Sequence, residues 1–209
     1  MKIKYPRTKH LLWSPGATSD DKILKDTSCF NGKIVIITEK MDGENSTLYN
    51  DHYHARSLDS KDHPSRSWLK QFHASIKNDI PIGWRLCGEN LYAKHSIGYD
   101  NLKSYFYCFS IWDDTNYCLS WKDTVEFCEL LGVEHVPVLR DDFMWTQWIP
   151  RLMEDHDWTG YDVATMEGYV VRNSDGFPYK DFGENVAKFV RPNHVTTSTH
   201  WIHSEVVPN

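Results

Sequence analysis

Short runs of β-branched and aromatic residues, broken by turn residues, recur along nearly the whole chain and limit what it can fold into. "KIVIITE" (33–39), "STLYN" (46–50), "WRLCGEN" (84–90), "SYFYCFSIW" (104–112), "VEHVPVL" (133–139), "MEGYVVR" (166–172) and "NVAKFVR" (185–191) each have the length and composition of a strand. Two helical patterns stand between them. "SRSWLKQFHASIK" sets Trp68, Phe72 and Ile76 at four-residue spacing, and "SWKDTVEFCELLG" opens on Ser120 as an N-cap and stops at Gly132. A weaker third pattern runs through "TQWIPRLMED". Strands dominate without strict strand-helix alternation, which predicts an α+β fold of mixed, mostly antiparallel sheets with flanking helices rather than a doubly wound sheet. No repeat, low-complexity tract or long linker interrupts the chain, so one domain over residues 1–209 is expected.

Composition narrows the function. With 40% hydrophobic and 14% aromatic residues in 209, the chain can bury a sizeable core. No apolar run is long enough to span a bilayer, and the N-terminus has no secretory apolar segment, so a cytoplasmic protein without a membrane partner is expected. The five cysteines form no CxxC pair and read as reduced core thiols. A net charge of −6 argues against binding nucleic acid through a bulk positive field, though it leaves room for a local basic groove. Candidates for such a groove are Lys61, Arg66 and Lys70 on the first helical pattern, and Arg191, His194, His200 and His203 near the C-terminus. The histidine pairs "HYH" (52–54) and "HWIH" (200–203) lack a clear third ligand and read as surface or hydrogen-bonding residues.

The stretch "ITEKMDGENSTLY" sends Lys40 out of an apolar strand into Asp42-Gly43. Two readings are open. Asp-Gly is among the commonest hairpin signals, which would make Lys40 an incidental turn lysine. Alternatively, Lys40 is a nucleophile at the end of a buried sheet. An amine attacks phosphorus only when neutral, so its pKa must fall from about 10.4 by about three units, roughly 4 kcal/mol, through burial and a second nearby cation. Further segments bear on the choice. Arg56 lies in "ARS", Glu89 ends the strand "LCGEN", and alternation along "YFYCFSIWD" places Tyr105, Tyr107 and Phe109 on one face, where a ring could stack a purine. Glu167 and Lys188 each stand near the start of a late strand. Each alone has an ordinary core or surface reading; their order is far more specific.

That order is KxDG, an Arg, a Glu before an aromatic strand, EGxVxR, then a Lys-bearing strand. It resembles the covalent nucleotidyltransferases: ATP-dependent RNA ligases, DNA ligases and capping enzymes. Over residues 36–195, the details "TEKMDGEN", "FSIWD", "EGYVVR" and "AKFVRPNHVTTSTHW" are most similar to the RNA ligases, of the sort often carried by bacteriophages. The resemblance implies a nucleotidyltransferase domain that uses ATP and Mg2+ or Mn2+. Lys40 would form a lysyl-AMP, pass AMP to a 5′-phosphate RNA end and let a 3′-hydroxyl displace it. Glu39 would help recognise adenine and Phe109 would stack on it, with Lys40, Asp42 and Gly43 completing the nucleotide motif. Glu89 would hold the ribose and share the metal with Glu167, Arg56 would contact phosphate or ribose, and Lys188 would contact the α-phosphate. The chain departs from the family at Val190, where a second lysine is common, leaving Arg191 as the nearest cation, and at Ser110, where many relatives have Asp. Asp113 or Asp114 could substitute there. Glu44-Asn45 replaces the commoner Thr-Asn. Only 21 residues follow Lys188, so a minimal catalytic domain without an OB-fold or helical module is expected, with an accessory protein or domain a possible source of substrate. Two alternatives remain: a DNA ligase or capping-type transferase, and a nucleic-acid-end binding module with impaired chemistry.

Overall fold

The computed structural model describes residues 2–149, 165–193 and 206–209. The strands are β1 (Lys9–His10), β2 (Ile34–Lys40), β3 (Glu44–Leu48), β4 (Tyr53–Ala55), β5 (Arg85–Asn90), β6 (Phe106–Trp112), β7 (Tyr117–Cys118), β8 (Glu134–His135), β9 (Val138–Met144), β10 (Gly168–Asn173), β11 (Phe177–Pro178) and β12 (Val186–Val190). Among the described residues the α-helices are α1 (Ser67–Ile76) and α2 (Trp121–Leu131). Of the nine pairings with an assigned register, β1 with β12 and β6 with β8 are parallel and the other seven antiparallel, so the α+β expectation holds. The helical pattern through "TQWIPRLMED" and the tail histidines lie largely or wholly outside the described residues.

The chain forms two compact units: unit 1 from Met1–Tyr5, Asp42–His135 and Val195–Asn209, and unit 2 from Pro6–Met41 and Val136–His194. In unit 2 the sheet order is β1-β12-β10-β2-β9. Alternation places Val35 and Ile37 of β2, Tyr169 and Val171 of β10, and Ala187 and Phe189 of β12 on one face, and all six lie in one buried cluster. Thr38 and Lys40, Gly168 and Val170, and Lys188 fall on the other face. This face carries the candidate chemistry.

In unit 1 the strands run β7-β6-β5-β3-β4, with β8 alongside β6. Helices α1 and α2 cover one face, burying Leu69, Ile76 and Cys128 against Leu48, Leu86 and Phe106. Helix α2 begins and ends as its sequence dictates. Ser120 Oγ accepts from Asp123 N, and Gly132 takes a left-handed φ of 64° that a Cβ would disfavour. All five cysteines are free thiols and four are buried.

The Asp42-Gly43 turn does not close a hairpin. β2 pairs with β10 and β9, whereas β3 pairs with β4 and β5, so the incidental-turn reading of Lys40 loses its basis. Gly43 is needed for a different reason: a Cβ there would lie 2.5 Å from Asn90 O. Asp42 accepts from Ser96 N at 2.8 Å and Ile97 N at 2.9 Å, and its own N–H donates to Tyr99 Oη at 2.8 Å. It fixes the loop after β5.

Candidate active-site residues

In unit 2 the register places Lys40 opposite Gly168, and Gly168 opposite Val190 on its other side. Lys40 Nζ lies 2.5 Å from Glu167 Oε2, with the two side chains 24% and 9% exposed. A carboxylate at that distance stabilises the ammonium, which is not the nucleophilic form. Gly168 lets the strands meet here, since a Cβ would fall 2.0 Å from Phe189 O. Lys188 is the partner of Val170, one row along the same face from the Lys40 row. Unit 2 thus brings Lys40, Glu167 and Lys188 to one side of one sheet. Glu39 belongs to the opposite face by alternation, and burial pushes its carboxyl above the usual range.

Strand β12 ends at Val190, and Arg191 follows it. Its backbone N donates to Glu167 O at 3.0 Å and its Nε to Met166 O at 2.6 Å. Arg191 therefore braces the backbone that presents Glu167.

In unit 1, Asn45, Glu89 and Tyr107 are register partners in a row across β3, β5 and β6. Between Cys87↔Ser110 and Gly88↔Cys108 the register slips by one residue, which leaves Phe109 as the extra residue of a β-bulge. The Phe109 ring meets Tyr5 edge-on at 5.1 Å between centroids. Arg56 follows β4, its backbone N donating to Asn45 O at 2.9 Å and its Nε reaching Tyr5 O at 3.5 Å. Asn45 Oδ1 is buried and accepts no hydrogen bond from the described residues. In the sequence Asn45 drew notice only as part of Glu44-Asn45 in place of the commoner Thr-Asn, without a role of its own.

Other expectations are corrected. Arg66 is not a groove residue: it is buried, and its Nε and Nη2 grip the two Glu44 oxygens at 2.6 and 2.5 Å. This also explains Glu44, whose charge is answered inside the fold. Ser110 is buried and accepts from Trp112 Nε1 at 3.1 Å. Asp113 is taken up by the turn after β6, accepting from Thr115 N and Tyr117 N, each at 2.9 Å.

A second constellation in unit 2 was not read from the sequence. His10, 1% exposed, is the register partner of Lys188. Its Nδ1 lies 2.7 Å from Ser14 Oγ, and its Nε2 is 3.4 Å from Asp21 Oδ2 without a well-formed hydrogen bond. Burial, reinforced by Lys188 and Lys40 against the opposing pull of Asp21, lowers its pKa to about 4. The neutral ring is the favoured form.

The family model for RNA ligase matches residues 33–190. Similar solved structures include an archaeal ATP-dependent RNA ligase, at 16% identity and TM-score 0.59, covering 90% of this chain and 48% of that one. A Naegleria gruberi RNA ligase with PPi is similar at 19% identity and TM-score 0.56, covering 91% and 61%. A mutant of a Naegleria gruberi RNA ligase with ATP and Mn is similar at 18% identity and TM-score 0.54, covering 79% and 52%. This chain therefore spans about half the length of the archaeal structure and about three fifths or less of the Naegleria ones. No curated protein matches it. At these identities the structures establish the fold, while the family model spans most of the chain, from β2 to the end of β12. The chain belongs to the RNA ligase family.

Proposed function

We propose that the chain is an ATP-dependent RNA ligase that works through a lysyl-AMP on Lys40. The observation that supports this most is the meeting of Lys40 and Glu167 at 2.5 Å beside the strand that carries Lys188, inside the segment that matches the family. Lys40 Nζ must first leave the Glu167 carboxylate and pass a proton to solvent. Its lone pair then forms a bond to the α-phosphorus of ATP as the bond to the β-phosphate oxygen breaks and pyrophosphate departs. A 5′-phosphate oxygen next displaces the lysine to give an RNA end capped by AMP, and a 3′-hydroxyl displaces AMP as the ends join. Such transfers depend on in-line placement and charge neutralisation more than on acid-base chemistry.

Lys188 is the proposed cation for the α-phosphate. From unit 1, Phe109 would stack on adenine, Glu89 would hold the ribose, and Arg56 would contact phosphate or ribose; Glu39 of unit 2 would contribute to adenine recognition. Glu167 and Glu89 would hold Mg2+ or Mn2+, which supplies neutralisation of phosphate charge. Each side chain is a carboxylate, the hard oxygen donor that Mg2+ takes alongside water and phosphate oxygens. A second reading, an end-binding module with impaired chemistry, draws on Val190, which is 2% exposed and brings no charge to the position where a second cation is common.

Incubating the protein with ATP, a divalent cation and 5′-phosphorylated RNA with a juxtaposed 3′-hydroxyl separates the two. Joined RNA supports the ligase. RNA bound without label on the protein or the RNA end supports the binding module.

A further inference from the structure

Segment 22–24 extends the sheet of unit 2 beyond β1. His10 N donates to Lys22 O at 2.7 Å and Leu24 N to His10 O at 2.8 Å, while Ile23 bridges His10 in parallel. Beside this edge lies a cavity of about 450 Å³, lined by Lys9, Lys22 and Lys25 and reaching Gly183 and Glu184. Gly183 gives the Lys9 amine its room, since a Cβ there would lie 3.3 Å from both Lys9 Cε and Nζ. β1 adjoins β12, the strand of Lys188, and stands three strand spacings, about 14 Å, from β2 and Lys40.

These ammoniums are not answered inside the fold. Among the described residues no salt bridge joins Lys9, Lys22 or Lys25 to a carboxylate, although Asp26 and Glu184 share the lining. Asp26 instead accepts from Ser28 N at 2.9 Å and from Ser28 Oγ. Cys29, also on the wall, brings no negative charge, because burial pushes its thiol above the ordinary range. The cations also alternate with apolar surface. Lys22 and Lys25 flank the exposed Ile23 and the buried Leu24 in the chain, and all four line the cavity. A small inorganic ion is held by donors closed around one point. Cations spread along an exposed edge beside apolar surface suit a polyanion whose phosphates alternate with ribose and base. Lysine serves there as a point charge that takes phosphate without reading sequence. In a chain of net charge −6, with Arg66 engaged by Glu44, backbone contact needs a local patch of this kind.

We propose that this cavity is a phosphate-binding subsite for the RNA backbone, with Lys9, Lys22 and Lys25 contacting phosphates of the substrate strand. This rests on the reading of RNA as substrate and not on the lysyl-AMP chemistry. The test measures binding of a short single-stranded RNA without a 5′-phosphate, by fluorescence anisotropy over a range of salt, to the full chain and to Lys9→Gln/Lys22→Gln/Lys25→Gln. The triple variant should bind about tenfold more weakly at low salt, and its slope of log affinity against log salt should be shallower by about 1 to 2. Lys2→Gln/Lys122→Gln/Lys180→Gln removes the same charge from exposed positions outside the cavity and should change affinity by less than about twofold. Ile23→Glu keeps all three lysines, sets a carboxylate among them and should weaken binding at low salt, with the loss shrinking as salt rises. In the natural chain, bound RNA should protect Lys9, Lys22 and Lys25 from acetylation several-fold relative to Lys180, as mapped by peptide mass. Equal losses in the two triple variants, or unchanged affinity in the cavity variant, would show lysines that only deter pairing at a sheet edge and overturn the proposal. Protection by inorganic pyrophosphate but not by RNA would give the cavity to a free phosphate compound and overturn it as well. If Lys40 takes AMP while the cavity lysines stay unprotected, the subsite fails and the ligase reading stands. If no AMP is taken, the salt slopes and the protection pattern still decide the subsite.

Discussion

Acidification should destabilise this protein through one buried ring. His10 is 1% exposed, and burial together with Lys188 and Lys40 lowers its pKa from the ordinary 6.5 to about 4, with Asp21 pulling the other way. Above pH 6.5 the ring is neutral both folded and unfolded. Between 6.5 and about 4 the unfolded chain takes up a proton that the folded one refuses, so stability falls as pH falls, and below about 4 the loss is complete. The whole shift corresponds to about 3 kcal/mol, of which about 2 kcal/mol falls above about pH 5, where most carboxylates are still ionised. Urea unfolding of the natural chain and of His10→Gln at steps from about pH 7 to about pH 5 isolates the contribution as a difference of slopes. The variant will pay a constant penalty for its altered packing but should lack that pH-dependent loss. Parallel curves for the two chains would refute the argument.

Two further outcomes follow from the geometry. Arg66→Ala strands the buried Glu44 carboxylate and should cost about 3 to 5 kcal/mol in urea unfolding; a loss under about 1 kcal/mol would show the pair to be solvated. Phe109→Ala should raise the ATP concentration needed for half-maximal self-adenylylation while the melting temperature changes little, and an unaltered ATP requirement would discard the stacking role.

How much of this was legible in the sequence depends on the kind of physics involved. Helix α2 was readable because its signals are local: a serine cap and a glycine stop. The strand runs were readable because β-branched and aromatic residues mark a half-buried pleated surface, although "VEHVPVL" splits into the two-residue β8 and the start of β9 around Pro137. Lys40, Glu167 and Lys188 could be nominated only together, since nothing local ties residue 40 to residue 167; the register of β2 with β10 does. Three features stayed hidden because they belong to tertiary pairing. The bulge at Phe109 exists only relative to β5, the burial of Arg66 only relative to Glu44, and the placement of Asp21 only through the return of its loop to His10. Arg191 was legible as a cation but not as a backbone brace, because its acceptor, Met166 O, is 25 residues away.

The most direct test of the central claim is to incubate the natural chain and Lys40→Ala with α-labelled ATP and a divalent cation, then map the modified peptide by mass. An acid-labile AMP on Lys40 of the natural chain, released to a 5′-phosphate RNA end on addition of RNA and absent from the variant, is the expected result. No adduct with ATP in either Mg2+ or Mn2+, or an adduct on a different residue, would contradict the assignment of Lys40 as the nucleophile.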